Sequence, residues 1–363
     1  MAISDIHTHQ EKSETEFILN VGNLASIASF HRAIANRLID FNDQYKSGDR
    51  PRVRLNLTSI QPRKMSMAGL TALLTIVDRL REFSRLPVLV DVNWNPEIFG
   101  FWEDIGFFEI GRKRDLFEWQ EGMAHGYSYG KTNPNTKLLF FELPDTLRNN
   151  HSDLPTMKDE IRNEVKEKLL LLCGELFRPK RGARAIPSTL RDQVAVTSAE
   201  LVVNAHLWGK ANAFVGLQRS SNGITVCVCD SGEGFYNSLL KKQKPKFAHI
   251  PTSHLESLAL GCINNYEDFG LRRAIDMVVR FGGKVEVSSY SAEIVWQHTL
   301  WDQWTRMSTH TPHNPAVFQE SFAKICAQFM IEKLSSDGRQ MGYCRNWATP
   351  LRGTRVSFEI PIS

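Results

Sequence analysis

Residues 200–209 read ELVVNAHLWG, and residues 226–235 read VCVCDSGEGF. In the first stretch Glu200 and Asn204 are four positions apart, so both lie on one face of a predicted helix whose other residues are mostly apolar. The second stretch has the pattern of a strand and ends at Asp230, before two closely spaced glycines. Two polar side chains on a core-facing stripe of a helix need an explanation; taken alone, the first motif is typical of a solvated helix face and the second of a turn.

The composition is that of a globular protein and limits its function. The 363 residues exceed what one hydrophobic core usually holds, which predicts two domains. A net charge of +4 does not indicate nucleic-acid binding. No apolar run approaches the ~18 residues of a membrane span, and the N-terminus lacks the pattern of a signal peptide. The 6 cysteines form no C-x-x-C pair, which favours reduced thiols and a cytoplasmic location.

The N-terminal residues predict an α/β domain. FILNV and RVRLNLTSI have strand patterns, MSMAGLTALLTIVDRLREF has the spacing of an amphipathic helix, and LPVLVDV is a short apolar strand. Strand, helix and strand in this order predict a βαβ unit. Residues 1–120 are therefore interpreted as one domain, and residues 121–155 as a connecting segment with one strand, KLLFFEL.

This half resembles a STAS domain, the α/β module of anti-sigma factor antagonists. The similar stretches are VRLNLTSI, MSMAGLTALLTIVDRL and the tail NPEIFGFWEDIGFFEI. The family's D-S-S-G-L loop reads SMAGL here, in residues 66–70, so Ala68 stands where the family has its phosphorylated serine and Ser66 is the hydroxyl close to it. The resemblance implies a protein partner for this half. Because the phosphoacceptor is replaced, a structural α/β domain without chemistry is the alternative.

Four separated motifs follow in residues 156–363. They are the helix with Glu200 and Asn204, the strand GITVCVC with the loop DSGEG, the stretch YEDFGLRRAIDMVVRFGGKVEVSS, and the C-terminal strand GTRVSFEIPI. In this order they resemble the GHKL ATPase superfamily, which groups histidine kinases, anti-sigma factor serine kinases, DNA gyrase and mismatch-repair ATPases. The resemblance implies a two-layer α/β sandwich, the Bergerat fold, that binds ATP and Mg²⁺.

The resemblance gives each motif a role. Asn204 is similar to the family's magnesium ligand, since a hard cation accepts an amide oxygen, and Glu200 is similar to its general base. Asp230 would accept a hydrogen bond from the adenine amino group, and Thr354 would close the adenine pocket beside it. Further nucleotide contacts are expected from glycines, a helix start and two lysines: Gly232, Gly234, Gly270, Leu271, Lys242 and Lys244.

Two longer segments of this half have separate interpretations. Residues 235–269 correspond to the family's mobile ATP lid, for which a solvated basic loop is the alternative. Residues 295–348 are longer than the family needs between its last strands, and their tryptophans make them a candidate partner surface or a set of buried aromatics. A zinc ion is a further hypothesis for this segment, although the spacing fits no standard site: His310, His313, Cys326 and Cys344.

The sequence therefore predicts a bacterial-type cytoplasmic regulator that binds ATP and Mg²⁺. It would be an ATPase or a serine/threonine protein kinase acting in the switching of protein partners. The alternative is a non-catalytic switch that changes conformation with ATP and captures or releases a partner. A role in a stress or phage-defence operon and a homodimeric state stay open.

Overall fold

Two β-sheets, one parallel and one antiparallel, organise the chain. The computed structural model describes residues 16–46, 49–119, 135–148, 154–178, 188–242, 251–263, 271–310, 315–330 and 341–362. The fold is mixed α/β, as predicted. Within these ranges, no helix combines the length and the apolar character needed to cross a membrane.

The parallel sheet is built from the N-terminal residues. Its strands lie in the order β1-β2-β3-β4. The elements, in chain order, are β1 (Glu16–Asn20), α1 (Ile27–Gln44), β2 (Arg52–Asn56), α2 (Met67–Ser84), β3 (Val88–Asp91), α3 (Pro96–Ile105), α4 (Phe107–Lys113) and β4 (Phe117–Trp119).

Local sequence fixes the helix starts in this half. The side chains of Ser26 and Ser66 accept hydrogen bonds from first-turn N–H groups of α1 and α2, respectively. Asn95 caps α3, whose first residue is a proline. Ser66, the hydroxyl nearest to the substituted phosphoacceptor position, is therefore engaged as the N-cap of α2. Its hydroxyl also donates to the Leu24 carbonyl at 3.0 Å.

The antiparallel sheet is built from the remaining residues, in the strand order β5-β6-β7-β9-β8. The strand predicted for the connecting segment is β5, which pairs with β6 along one edge. The elements are β5 (Thr136–Phe141), α5 (Asp145–Arg148), α6 (Leu154–Leu176), α7 (Ser188–Asn204), a π-helical turn (Ala205–Gly209), β6 (Ala213–Arg219), β7 (Gly223–Asp230), α8 (Gly234–Lys242), α9 (His254–Ile263), α10 (Leu271–Arg280), β8 (Lys284–Trp296), α11 (His298–His310), α12 (Pro315–Phe329) and β9 (Tyr343–Pro361).

Helices α6, α7, α9 and α10 share a hydrophobic core with one face of this sheet. The helices α11 and α12 belong to the segment 295–348, and its first tryptophans extend the same core. Trp296, Trp301 and Trp304 are buried, and Trp296 makes edge contacts with the other two rings. These three side chains therefore stabilise the fold and do not form a surface for a partner.

The opposite face of the antiparallel sheet is covered by α1 and α2. Phe214, Cys227, Cys229 and Leu351 belong to one hydrophobic cluster with residues of the N-terminal half. Helix α2 lies between the two sheets, and 14 of its 18 residues are buried. A Cβ on Gly216 of β6 would lie 2.6 Å from the Met67 side chain, so only glycine allows α2 to come this close. The resemblance to known families did not predict this third layer.

Polar contacts also join the two halves. The Asn212 amide donates to Asp78 of α2 at 2.7 Å, and the Ala28 N–H in the first turn of α1 donates to Glu286 of β8 at 3.1 Å. The His31 ring lies 2.8 Å from the Thr349 carbonyl and stacks on Trp347. The N-terminal helices are thus fixed to the sheet by directional bonds as well as by apolar contact.

Candidate functional site

A cavity of about 40 Å³ lies where the C-terminal end of α7 meets β7, β9 and the starts of α8 and α10. Most of its wall is apolar, and the polar groups come from the ends of elements. It is lined by Leu201, Asn204, Ala205, Trp208, Gly209, Val228, Asp230, Gly234, Phe235, Ser238, Leu271, Thr354 and Val356. Such a wall with a few convergent polar groups is typical of small-molecule sites.

Five of the residues predicted from the sequence motifs line this cavity, although they come from separate segments of the chain: Asn204, Asp230, Gly234, Leu271 and Thr354. Gly232 lies directly behind the wall. Gly270 and Lys244 lie outside the described residues, and so does the side chain of Lys242 at the end of α8.

Asn204 stands at the point where the regular helix stops. The next five residues form the π-helical turn, a rare geometry that is frequent at functional sites and that no periodicity in the sequence predicts. The side-chain oxygen Oδ1 of Asn204 is buried and has no hydrogen-bond partner in the described part of the chain. An unsatisfied buried carbonyl costs about 1–3 kcal/mol, which a bound cation or donor would offset. His206 in the same turn is buried and bonds the Ala211 carbonyl at 3.0 Å, a structural role.

Asp230 ends β7 with its carboxylate buried beside the cavity. Its Oδ1 accepts hydrogen bonds from the N–H groups of Gly232, at 2.8 Å, and Thr354, at 3.4 Å. No described residue bonds Oδ2. Burial raises the pKa of Asp230 to about 6, while the Gly232 hydrogen bond and the charge of Arg355 act in the opposite direction. Asp230 can therefore accept a further hydrogen bond on one oxygen and change protonation state near neutral pH.

Glycines let the backbone close around Asp230. A Cβ on Gly232 would lie 2.5 Å from the Cα of Gly209, the last residue of the π-helical turn. Gly353 has a φ of +99°, and a Cβ there would overlap the Asp230 carbonyl. Gly234 has a φ of +71° and lies against Ser289. The motifs predicted Gly232 and Gly234, whereas the need for glycine at 209 and 353 depends on tertiary contacts.

Glu200 does not line the cavity. Its carboxylate forms an ion pair with Arg162 of α6, with Nε and Oε1 at 2.6 Å, and Arg162 also contacts Asp159 at 2.7 Å. The Glu200 side chain is only 17% exposed. Glu200, the general base expected from the sequence, is thus paired with the guanidinium of Arg162. This ion pair lies one helical turn before Asn204.

Arg355 is a fully buried charge that the sequence motifs did not single out. Its guanidinium donates to the carbonyls of Leu351, at 3.4 Å, and Arg352, at 2.7 Å. Burial lowers the pKa of Arg355 to about 10, and the charge of the Asp230 carboxylate opposes this shift. In the sequence, Arg355 is a charged residue within the alternating apolar pattern of a strand. The sheet face to which its side chain points depends on the pairing of β9 with β7.

Comparison of the chain with protein-family models, curated proteins and solved structures gives no match. Across the described ranges, no three His, Cys, Asp or Glu side chains lie close enough together to hold a metal ion. Of the residues considered for zinc, Cys326 and Cys344 are buried free thiols, while His313 and the side chain of His310 lie outside the described residues.

Proposed function

We propose that the cavity at the end of α7 binds ATP together with Mg²⁺, and that the protein is an ATP-binding regulator of the GHKL type. The observation that carries this proposal is the buried, unpartnered Oδ1 of Asn204 in the same cavity wall as Asp230. An amide oxygen is a suitable ligand for Mg²⁺, and a carboxylate is a suitable acceptor for the adenine amino group. The two ends of a nucleotide thus have matching groups in one cavity.

The remaining residues of the cavity support the same assignment. Asp230 would accept from adenine on Oδ2, with Thr354 beside it, and the glycines at 209, 232 and 353 hold the backbone close around this carboxylate. The N-terminus of α10, at Leu271, would face phosphate. A bound nucleotide would supply a transferable phosphoryl group.

The cavity must open to receive a nucleotide. Its volume of about 40 Å³ exceeds the roughly 10–15 Å³ that one water needs but is less than a purine requires. Phe235 and Ser238 of α8 close one side, and Ser238 contacts the Trp208 carbonyl at 3.5 Å. Helix α8 is the first part of the segment interpreted as a lid, so its displacement would accompany binding.

Two versions of this function differ in whether the phosphate is cleaved. An ATPase or a protein kinase needs a free carboxylate at Glu200 to accept a proton from water or from a serine or threonine hydroxyl. The ion pair with Arg162 instead favours the non-catalytic switch in the conformation described here. Turnover would therefore require that Arg162 release Glu200.

Binding of ATP to purified protein, measured by titration calorimetry with and without Mg²⁺, tests the proposal. Asp230→Asn should weaken binding about tenfold or more, the effect of losing a charge-assisted hydrogen bond. Asp192→Asn, in the exposed first turns of α7, is the matched control. Asn204→Ala should remove the gain in affinity that Mg²⁺ provides and leave binding in EDTA unchanged. Wild-type affinity in Asp230→Asn would refute the assignment.

A second measurement distinguishes the two versions. The protein is incubated with γ-labelled ATP and Mg²⁺, and ADP and labelled protein are quantified. Formation of either product identifies an enzyme. Binding without either product identifies the switch.

A further inference from the structure

A second and larger cavity lies between the N-terminal helices and the paired strands β8 and β9. Its volume is about 230 Å³, many times the roughly 10–15 Å³ that one water molecule needs. Helices α1 and α2 form one wall, and the irregular part of the β8–β9 pair forms the other. It is lined by Leu38, Ile39, Phe41, Asn42, Ile76, Arg79, Leu80, Phe83, Tyr290, Pro350, Leu351 and Arg352.

The wall of this second cavity combines an apolar floor with two cationic groups. Phe41, Ile76, Leu80 and Leu351 are buried and belong to the cluster between the sheets. Arg79 and Arg352 lie in the same wall. Arg352 Nε donates to the Gly232 carbonyl at 3.3 Å, and among the described residues no carboxylate forms an ion pair with either guanidinium. Two like charges beside apolar surface are unfavourable until an anion joins them.

The charges around Arg79 also favour an anion in this cavity. Burial lowers the pKa of Arg79 to about 10, and the next largest cause is the charge of Arg352, to which Arg355 adds. The opposing influences of Tyr290 and Glu82 are smaller than that of Arg352. The cavity therefore has a net positive field around a partly buried guanidinium.

The wall formed by β8 and β9 carries backbone strain. Tyr290 has a φ of +54°, and the β8–β9 register shifts on both sides of it. A tyrosine in this region of φ costs on the order of 1–3 kcal/mol, and such residues cluster at ligand sites. Its ring stacks on His254, and its hydroxyl accepts from Asn237 of α8 at 3.2 Å.

We propose that this second cavity binds a small amphipathic anion. An acyl or aryl body would lie on Phe41, Ile76 and Leu80, and a carboxylate or similar head group would pair with Arg79 and Arg352. Head groups of this kind form strong bidentate bonds with guanidinium, and burial of the body supplies the rest of the affinity. The inference does not depend on nucleotide binding, since the two cavities have separate walls.

Titration calorimetry of the full chain with octanoate tests the proposal, with octan-1-ol and octylammonium as neutral and cationic ligands of the same length. Octanoate should bind saturably with one site, at least about tenfold more tightly than octan-1-ol, and octylammonium should not bind. Equal affinity for octanoate and octan-1-ol would show an apolar groove without anion recognition. Absence of saturable octanoate binding would overturn the proposal altogether.

Variants locate the site. Arg79→Gln should weaken octanoate binding about tenfold or more, whereas Arg81→Gln, on the same helix but outside the cavity wall, should leave it unchanged. Ile39→Glu adds a negative charge at the rim, where Ile39 is 36% exposed, so this variant should fold and lose octanoate binding even if Arg79→Gln is unstable. Equal losses in Arg79→Gln and Arg81→Gln, or full binding in Ile39→Glu, would contradict the assignment.

Discussion

At the scale of single residues, the protonation of Asp230 decides what the first cavity can accept. Its pKa is raised to about 6, chiefly by burial, so the carboxyl is neutral below that pH and ionised above it. A protonated carboxyl donates a hydrogen bond where the adenine amino group needs an acceptor. We therefore expect ATP affinity to fall about tenfold as the pH decreases through about 6.

The measurement is a series of ATP titrations between about pH 5 and about pH 8. ATP itself ionises in this range. The Asp230→Asn variant corrects for this, because its ATP affinity still varies with the ionisation of ATP but not with that of residue 230. The wild type should show the steeper dependence. Identical profiles for the two proteins would exclude Asp230 as the acceptor.

The pair of Glu200 and Arg162 yields a second prediction, for a protein that turns over ATP. Glu200→Gln should keep ATP affinity and slow hydrolysis by roughly 10²–10⁴-fold, the loss typical of a general base. Arg162→Gln removes the ion pair at 2.6 Å and should raise the rate, because the carboxylate becomes free.

Steady-state release of phosphate measures both effects. Arg191→Gln, whose arginine pairs with its neighbour Asp192 on the exposed start of α7, is the control. An unchanged rate in Arg162→Gln would mean that the ion pair does not restrain the reaction. An unchanged rate in Glu200→Gln would remove this residue from the mechanism.

The sequence predicted some residues of the cavity and missed others for a physical reason. Asn204, Asp230 and Thr354 belong to short motifs with local spacing, and the structure places all three around one cavity. Gly209 and Arg162 act through contacts with Gly232 and Glu200, which are remote in the sequence. A motif specifies residue types and spacing, but it does not specify which remote side chain neutralises or packs against them.

At the scale of elements, strand β8 holds the start of α1. Glu286 accepts from the Ala28 N–H, and burial, followed by the charge of Glu293, raises the pKa of Glu286 above its ordinary value of 4.5. The folded state therefore binds more protons than the unfolded state above about pH 4.5. The contribution of Glu286 to the free energy of unfolding should therefore be largest at low pH and decrease as the pH rises toward neutral.

Glu286→Gln should remove much of this dependence and raise the free energy of unfolding at about pH 8 by roughly 1–3 kcal/mol, because the amide keeps an acceptor without the buried charge. Urea unfolding at several pH values measures it. Glu160→Gln, on the exposed side of α6, is the control and should retain the wild-type slope. A steeper or unchanged slope in Glu286→Gln would contradict the role of this carboxylate.

Periodicity predicted helix α2 and the strands beside it, but it did not predict what surrounds α2. The face of α2 toward the antiparallel sheet includes small and hydroxyl residues such as Ala68, Thr71 and Thr75. Thr71 and Thr75 bond the carbonyls four positions earlier, at 2.7 and 2.9 Å, and so can be buried. A hydropathy pattern does not mark such a face as apolar. The sequence of a helix that packs on two sheets therefore has the same pattern as that of a helix packed on a single sheet.

At the scale of the whole molecule, the two sheets share α2 and should unfold together. The sequence predicted two domains, and a loosely joined pair would give two thermal transitions. We expect a single calorimetric transition, because loss of either sheet uncovers buried residues such as Phe214, Cys227 and Leu73. Two resolved transitions would contradict a shared core.

Gly216→Leu provides the sharper test of this expectation. The new side chain must displace Met67 and Thr71, which should lower stability by about 1–3 kcal/mol or more. The single transition should move to lower temperature as a whole. Gly100→Leu, where a Cβ meets no atom within 4 Å, is the control and should leave the transition in place.

The position of β9 in the antiparallel sheet has a consequence for synthesis on the ribosome. This strand is the last described element of the chain, yet it lies between β7 and β8 and carries Thr354. At roughly 5–20 residues per second, helix α1 waits tens of seconds for the strand against which it packs. A nascent chain that stops before residue 343 has no strand between β7 and β8, an incomplete first cavity and an uncovered face of α1, so it is a natural substrate for chaperones and proteases.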